Sequence, residues 1–203
     1  MKLKWLLVVA ALVLIGVFWP NSHRTLAPLS PDANILAFGD SLTQGVGASK
    51  GSDYPSVLAR LTGLNVINAG ISGETTSEGL RRFATVLDET APELVLLLEG
   101  GNDFLRNVDE QQVEANLALM IEQAQSRAIT VVLIAVPQKS LWLEPAKLYS
   151  RLSDKYQLLL IEDFLTDLLK LPEVKSDTIH LNDAGYERLA EHIELQLRQA
   201  GAL

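Results

Sequence analysis

Five runs of consecutive apolar residues recur along the chain, each four to seven residues long. They are continuously apolar rather than alternating, which is typical of parallel strands that are covered on both faces. The pattern therefore predicts five buried strands, which we place at residues 34–38, 66–69, 94–98, 130–136 and 158–161.

Segments between these runs place apolar residues at helical spacing. Residues 77–89, 109–127 and 184–199 each carry an apolar stripe on one face, and residues 54–61 form a shorter stretch of the same kind. One-sided stripes are expected of helices that pack on a core, so we assign them no cofactor role. Strands that alternate with helices predict an α/β fold, here a three-layer α/β/α domain with a five-stranded parallel sheet.

The first 20 residues differ from the rest of the chain. Lys2 and Lys4 precede an apolar run over residues 5–19, which ends at Pro20. A positive segment followed by an apolar one is typical of an export signal. The run is short for a spanning helix of about 20 residues, and no small-residue cleavage site follows it. We expect residues 1–20 to be either an uncleaved signal anchor or a cleaved signal peptide.

Either interpretation of this segment exports the domain that follows it, with the lysines left inside. Residues 21–33 contain Pro28 and Pro31 and are expected to form a linker. The globular domain then covers residues 34–203. We expect it to be periplasmic and held at the inner membrane by residues 5–19, which would also supply its contact with the membrane.

Charge and composition exclude several classes of protein. The chain has 17 basic against 25 acidic residues, a formal net charge of −8, and no cluster of Lys or Arg. Nucleic acid is therefore not an expected partner, because its binding requires cations that neutralise phosphates. The chain has no cysteine, which excludes disulfides, a thiolate nucleophile and Cys-ligated zinc. The histidines form no plausible ligand cluster, so we expect no metal and no cofactor.

Candidate chemistry is concentrated in segments that follow the predicted strands, where ligands bind in parallel α/β folds. Each segment alone also fits an ordinary turn or helix cap, where Gly, Ser, Asn and Asp are common. The segments are Gly39-Asp40-Ser41-Leu42, Gly70-Ile71-Ser72-Gly73-Glu74, Glu99-Gly100-Gly101-Asn102-Asp103 and, before the last helix, Asp177-Thr178-Ile179-His180.

Ser41 and His180 are the strongest candidates for catalysis. Gly39 permits a sharp turn that exposes the Ser41 hydroxyl, and the segment matches neither of the two common phosphate-binding loops. A general base needs a near-neutral pKa and a carboxylate that orients it. Asp177 and His180 form the only such close pair outside the helices, since His23 lies in the linker and His192 in the last helix.

Taken together and in this order, the four segments resemble those of the SGNH (GDSL-type) hydrolase family over residues 34–200. Residues 68–75 and 99–103 are most similar to its bacterial lysophospholipase/thioesterase/arylesterase branch. The resemblance implies a flavodoxin-like SGNH hydrolase fold. It also implies a catalytic set of Ser41 as nucleophile, His180 as base and Asp177 as its orienting acid, with an oxyanion hole made by Ser41, Gly73 and Asn102.

One position departs from the family pattern. Leu181 stands where the family usually has a proline after the histidine. We expect a less rigid start to the last helix and no change in chemistry.

The resemblance implies a serine esterase that hydrolyses carboxylic esters and thioesters of acyl chains through an acyl-enzyme. We expect a small acyl ester or a lysolipid as substrate, and a monomeric protein. Residues 138–149, after the fourth strand, either line an acyl groove or pack on their own core. Two other functions stay open, namely a carbohydrate O-deacetylase of a neighbouring branch and a non-catalytic binding module on the same fold.

Overall fold

The computed structural model describes residues 24–138 and 143–203. The predicted signal segment, residues 1–20, and the first part of the predicted linker lie outside the described residues. Leu141 and Trp142 of the predicted groove segment lie outside them as well. Across the described ranges, no helix combines the length and apolar character needed to cross a membrane.

A parallel sheet of five strands forms the centre of the domain, and a separate antiparallel pair of short strands follows its fourth strand along the chain. The strands are β1 (Asn34–Gly39), β2 (Asn65–Gly70), β3 (Leu94–Leu98), β4 (Thr130–Ile134), β5 (Pro137–Gln138), β6 (Glu144–Pro145) and β7 (Leu159–Ile161). The parallel sheet has the spatial order β2-β1-β3-β4-β7, and β5 pairs with β6. This is the order of the flavodoxin-like doubly wound sheet.

Helices cover both faces of the sheet. They are α1 (Ser41–Gln44), α2 (Tyr54–Thr62), α3 (Thr76–Thr90), α4 (Gly101–Leu105), α5 (Glu110–Gln125), α6 (Lys147–Tyr156), α7 (Phe164–Lys170) and α8 (Asp183–Gln199). The helices α2, α7 and α8 form one layer, and α3, α5 and α6 form the other. A 3₁₀ turn at Pro172–Val174 precedes the last helix.

The register of the three neighbouring strands places their carboxyl ends side by side. Gly39, the last residue of β1, lies opposite Gly70 of β2 and Leu98 of β3. The chain therefore leaves all three strands at one edge of the sheet. The segments that begin at residues 40, 71 and 99 meet there, which is where the candidate chemistry lies.

The predicted three-layer α/β/α fold is confirmed, and the structure differs from the prediction in two respects, the coverage of the edge strands and the end of the fourth strand. The strands β1, β3 and β4 are almost fully buried, whereas β2 and β7 are partly exposed. The expectation of full coverage on both faces is wrong for these two strands, because they form the edges of the sheet. The predicted fourth strand also ends early, at Ile134, because the chain turns toward the β5–β6 pair, where the carbonyl of Val136 accepts from the Ala146 N–H at 3.2 Å.

Residues 24–33 form no helix or strand and lie against the end of the chain. The backbone N–H groups of Leu26 and Leu29 donate to the carbonyl oxygens of Ala200 and Ala202, at 2.8 and 2.9 Å. These contacts tie the segment before β1 to the residues that follow α8.

Candidate active site

Ser41 stands where β1 turns into the short helix α1. Asp40 caps this helix, since its Oδ1 accepts the Leu42 N–H at 3.0 Å. A Cβ on Gly39 would lie 2.0 Å from the carbonyl oxygen of Leu98 on β3, so only glycine fits this close approach. The turn holds Ser41 at the edge of the sheet with 8% of its surface exposed.

His180 connects Ser41 to Asp177 through two hydrogen bonds. The Nε2 atom of His180 lies 3.0 Å from the Oγ of Ser41, and its Nδ1 lies 2.7 Å from the Oδ2 of Asp177. The other oxygen of Asp177 accepts the N–H groups of Ile179 and His180, both at 2.8 Å. The hydrogen bond from His180 and these backbone donors lower the pKa of Asp177 to about 2. Asp177 is therefore ionised at neutral pH and fixes the imidazole from one side.

The loop that carries His180 is fastened at both ends. The carbonyl oxygen of His180 accepts the Ser176 N–H at 3.0 Å, and Leu181 pairs with Lys175 in an isolated antiparallel bridge. Leu181 itself is fully buried. Asn182 caps α8 by accepting the Gly185 N–H at 3.1 Å, so the helix begins directly behind the histidine.

Asn102 lies on α4, beside the turn of Ser41. Its Nδ2 atom donates to the backbone oxygen of Glu74 at 2.9 Å and, more weakly, to the Oδ2 of Asp40 at 3.3 Å. The two bonds orient the amide between the ends of β1 and β2. The longer one is the easier of the two to exchange for another acceptor.

Gly73 lies in the loop between β2 and α3, with a φ of +80° that favours glycine. Arg106, just after α4, donates to the Gly73 carbonyl oxygen at 2.8 Å. Arg106 and Asn102 thus donate hydrogen bonds to the consecutive carbonyl groups of Gly73 and Glu74 in one loop. Within the described residues, neither the Gly73 N–H nor the Ser41 N–H donates to another atom. Both are free to bind an incoming oxygen.

Sequence reasoning missed the buried acids behind these residues. Asp40 is 2% exposed, and burial is the main cause that raises its pKa to about 6. Glu74 pairs with Arg82, which also lies 4.0 Å over the ring of Phe38. The only signal in the sequence was the placement of acids directly after apolar strands, which solvent-exposed turns share.

A largely apolar cavity of about 210 Å³ opens beside Ser41. Ser41, Asp40 and Asn102 are among the polar residues that line it. The apolar side chains around it are those of Leu42, Phe104, Leu105, Val136, Pro137, Leu143, Leu169 and Ile179. Such a space accepts a hydrocarbon group next to the serine hydroxyl.

Both interpretations of the predicted groove segment, residues 138–149, apply to parts of it. Gln138 and Leu143 line the cavity, whereas Leu148 and Tyr149 are fully buried in the core. No cluster of three or more potential metal ligands occurs among the residues that the structure describes.

Comparisons with known proteins agree with this geometry. The chain matches the family described as GDSL-like Lipase/Acylhydrolase over residues 37–188. It is 30% identical over 177 residues to an arylesterase of Vibrio mimicus, an alignment that covers 80% of this chain and 87% of the relative. It is 27% identical over 172 residues to thioesterase 1/protease 1/lysophospholipase L1 of Escherichia coli strain K12, covering 81% and 83%.

A solved structure supports the same relationship. The crystal structure of TesA superposes with a TM-score of 0.75 at 27% identity, and the match covers 82% of this chain and 99% of TesA. The likeness therefore extends over nearly all of the described domain.

Proposed function

We propose that this chain, which belongs to the GDSL-like lipase/acylhydrolase family, hydrolyses acyl esters and thioesters with Ser41 as its nucleophile. Membership of the family and its esterase relatives make it an ester hydrolase of the serine type. The observation that carries the proposal for Ser41 is the line of hydrogen bonds from its Oγ through His180 to Asp177, at 3.0 and 2.7 Å.

In the proposed first half-reaction, the Ser41 hydroxyl attacks the carbonyl carbon of the substrate. A serine hydroxyl is a weak nucleophile until a base removes its proton. His180 takes that proton on Nε2, while Asp177 keeps the other imidazole proton on Nδ1 and stabilises the imidazolium. His180 then donates its proton to the alcohol or thiol as the bond to carbon breaks. An acyl group remains on Ser41.

In the second half-reaction, water takes the place of the departed alcohol. His180 removes a proton from the water, which attacks the acyl carbonyl, and returns the proton to Ser41 as the acid leaves. Ser41 and His180 are then ready for another cycle, and no external cofactor enters the balance of atoms.

The negative charge that develops on the carbonyl oxygen needs donors that are already in place. The unpartnered N–H groups of Ser41 and Gly73 support their assignment to this role. Asn102 supplies the third donor, by exchanging its long bond to Asp40 for the oxyanion while its bond to Glu74 keeps the amide oriented.

The apolar cavity supports an acyl chain as the part of the substrate that is bound beside Ser41. A carbohydrate O-deacetylase needs room only for acetate on this side and polar groups for the sugar. The lining by Phe104, Val136 and Leu143 favours the longer hydrocarbon chain over that alternative. A series of p-nitrophenyl esters and acyl-CoA thioesters, compared with acetylated sugars, separates the two.

The remaining alternative, a non-catalytic binding module, is tested by labelling. A fluorophosphonate reacts only with an activated serine. We expect it to label Ser41 in the folded protein and to leave His180→Ala unlabelled. Labelling of neither protein favours the binding module, and labelling of a different serine contradicts the assignment of Ser41.

The proposed cellular setting rests on the sequence of the first 33 residues. We propose that residues 1–20 direct export, that residues 21–33 connect them to a monomeric domain at 34–203, and that residues 5–19 hold this domain at the periplasmic face of the inner membrane. Mass spectrometry of the mature N-terminus distinguishes an anchor from a cleaved signal peptide. Light scattering of the purified domain measures its oligomeric state.

A further inference from the structure

Four carboxyl groups lie buried together behind the active site. They come from four different places in the chain, namely the end of β1, the loop after β2, the end of β3 and helix α4. All are at most 7% exposed. The four residues are Asp40, Glu74, Glu99 and Asp103.

Three of the four carboxyl groups accept hydrogen bonds from donors built into the fold. These donors stabilise a negative charge on each of the three. They are Arg82 for Glu74, the backbone N–H and hydroxyl of Thr76 for Asp103, and the Leu42 N–H with the Asn102 amide for Asp40.

Glu99 differs from the other three. It is completely buried, and neither of its carboxyl oxygens has a hydrogen-bond partner within the described residues. The hydroxyl of Tyr149 does reach Glu99, at 2.7 Å, but it donates to the backbone oxygen and not to the side chain. A fully buried carboxylate without hydrogen-bond donors is strongly disfavoured relative to the neutral acid.

We propose that Glu99 is held as a neutral carboxylic acid in the native enzyme and that this lack of charge keeps the Asp40 carboxyl group ionised. By remaining uncharged, it allows the Asp40 carboxylate to stay ionised against the Asn102 amide. The catalytic part of this inference rests on the proposed function of Asn102 and His180. The retention of the proton by Glu99 does not depend on it.

The charges around Glu99 explain why its protonation state matters. The charged or titratable groups that act on it are Asp40, Glu74 and Asp103, with Arg82 as the one cation among them. Burial, together with these three acids, raises the pKa of Glu99 well above its usual value. Burial is the main cause that raises the pKa of the Tyr149 phenol, which stays neutral.

Asp40 is the group most sensitive to an additional charge. Glu74 and Asp103 already raise the pKa of Asp40, whereas the Leu42 N–H and His180 lower it. An ionised Glu99 would add a third negative charge and drive Asp40 toward its protonated form. The Asp40 carboxylate would then be lost as an acceptor for Asn102 and as a counter-charge for the His180 imidazolium.

The proton on Glu99 is measurable through the pH dependence of stability. Above about pH 4.5 Glu99 ionises in the unfolded chain but not in the native protein, so the native state binds one more proton. Rising pH therefore favours unfolding of the wild type, and Glu99→Gln lacks this effect. In urea denaturation between about pH 5 and 8, we expect the wild-type unfolding constant to increase relative to Glu99→Gln by roughly tenfold per pH unit.

A second variant and an infrared spectrum test the proton on Glu99 independently of Glu99→Gln stability. Glu99→Met fills a similar volume without a titratable group and is expected to show the same pH dependence relative to the wild type as Glu99→Gln. An infrared difference spectrum of wild type minus Glu99→Gln at neutral pH should contain the carbonyl band of a neutral carboxylic acid. A pH-independent stability difference, or a carboxylate band in that spectrum, overturns the proposal.

Kinetics gives a second test of the charge of Glu99, through its effect on Asp40. If Glu99 is neutral, Glu99→Gln leaves the acid limb of kcat/KM unmoved, because the charge near Asp40 does not change. If Glu99 is ionised, removing its charge lowers the pKa of Asp40 and moves the limb to lower pH, which contradicts the proposal. The stability experiment needs no turnover, so it stands even if Ser41→Ala shows that the proposed reaction is wrong.

Discussion

The Nε2 atom of His180 lies 3.0 Å from the Oγ of Ser41, although 139 positions separate the two residues along the chain. One residue follows the first strand of the sheet and the other precedes the last helix. The contact therefore exists only when the first and last parts of the domain are packed together. Activity is expected to be lost as soon as the C-terminal helix detaches.

Replacing Asp177 by Asn tests the orientation of His180. Asn can present its amide N–H to Nδ1, which favours the wrong imidazole tautomer, so we expect kcat to fall by roughly 10³–10⁴-fold with little change in KM. The measurement is steady-state hydrolysis of p-nitrophenyl butyrate. Asp183→Asn is the matched control, since Asp183 is exposed and, among the residues that the structure describes, its carboxylate accepts hydrogen bonds only from Ser49. Equal effects of the two substitutions would argue against a special role for Asp177.

Replacing Asn102 by Ala removes one proposed oxyanion donor. Loss of a single donor of this type lowers kcat by about 10²–10³-fold. Asn102→Asp should be at least as damaging, because it sets a carboxylate against Asp40 and the developing oxyanion. Near-normal kcat in either variant, with folding verified by circular dichroism, would exclude Asn102 from the oxyanion hole.

Arg106 is expected to matter through the loop that it holds. Its bond to the Gly73 carbonyl is worth about 1 kcal/mol if it is typical, so Arg106→Ala should lower kcat about fivefold and change KM little. Arg81→Ala, on the neighbouring helix, serves as the control. If Arg106→Ala raises KM and spares kcat, the arginine contacts the substrate rather than the loop.

The carboxyl group of Asp40 is expected to lower the stability of the native protein at neutral pH while it supports catalysis. Its pKa of about 6 in the native protein lies above the ordinary value of 3.8. The unfolded chain therefore loses this proton first, and the contribution of Asp40 to stability, present in full at low pH, declines as the pH rises from about 4 to 6. Relative to the wild type, Asp40→Asn should gain about 3 kcal/mol in unfolding free energy between pH 3 and 7.

The same substitution should impair catalysis, because Asn at position 40 can still cap α1 but no longer offers a carboxylate to Asn102 and His180. Urea denaturation and kcat, measured on one preparation, check both parts. A variant that is less stable at pH 7 than at pH 3, relative to the wild type, would show that burial does not raise the pKa of Asp40.

Much of the candidate site could be predicted from the sequence because its residues follow the apolar runs directly. Ser41, Gly73 and Asn102 each lie in the segment that leaves a predicted strand, and parallel strands deliver those segments to one edge. Asp177 and His180 were found as the only close acid–histidine pair outside the helices.

The buried acids were not predicted, for a physical reason. Glu99 follows five apolar residues in the same way as an acid of an exposed turn, and Tyr149, whose hydroxyl donates to its backbone oxygen, lies 50 positions further along. The exposure of β2 was missed because the local pattern does not reveal which strands form the edges of a sheet. Both features are decided by tertiary packing.

The most direct test of the account is the hydrolysis of p-nitrophenyl butyrate by Ser41→Ala. We expect kcat/KM to fall by roughly 10⁴-fold or more, because the nucleophile is lost while the fold remains. Ser72→Ala, in the adjacent loop, is the control and should stay within about threefold of the wild type, as expected for a substitution outside the proposed catalytic set. If Ser41→Ala retains turnover within about tenfold of the wild type, Ser41 is not the nucleophile and the proposed mechanism is wrong.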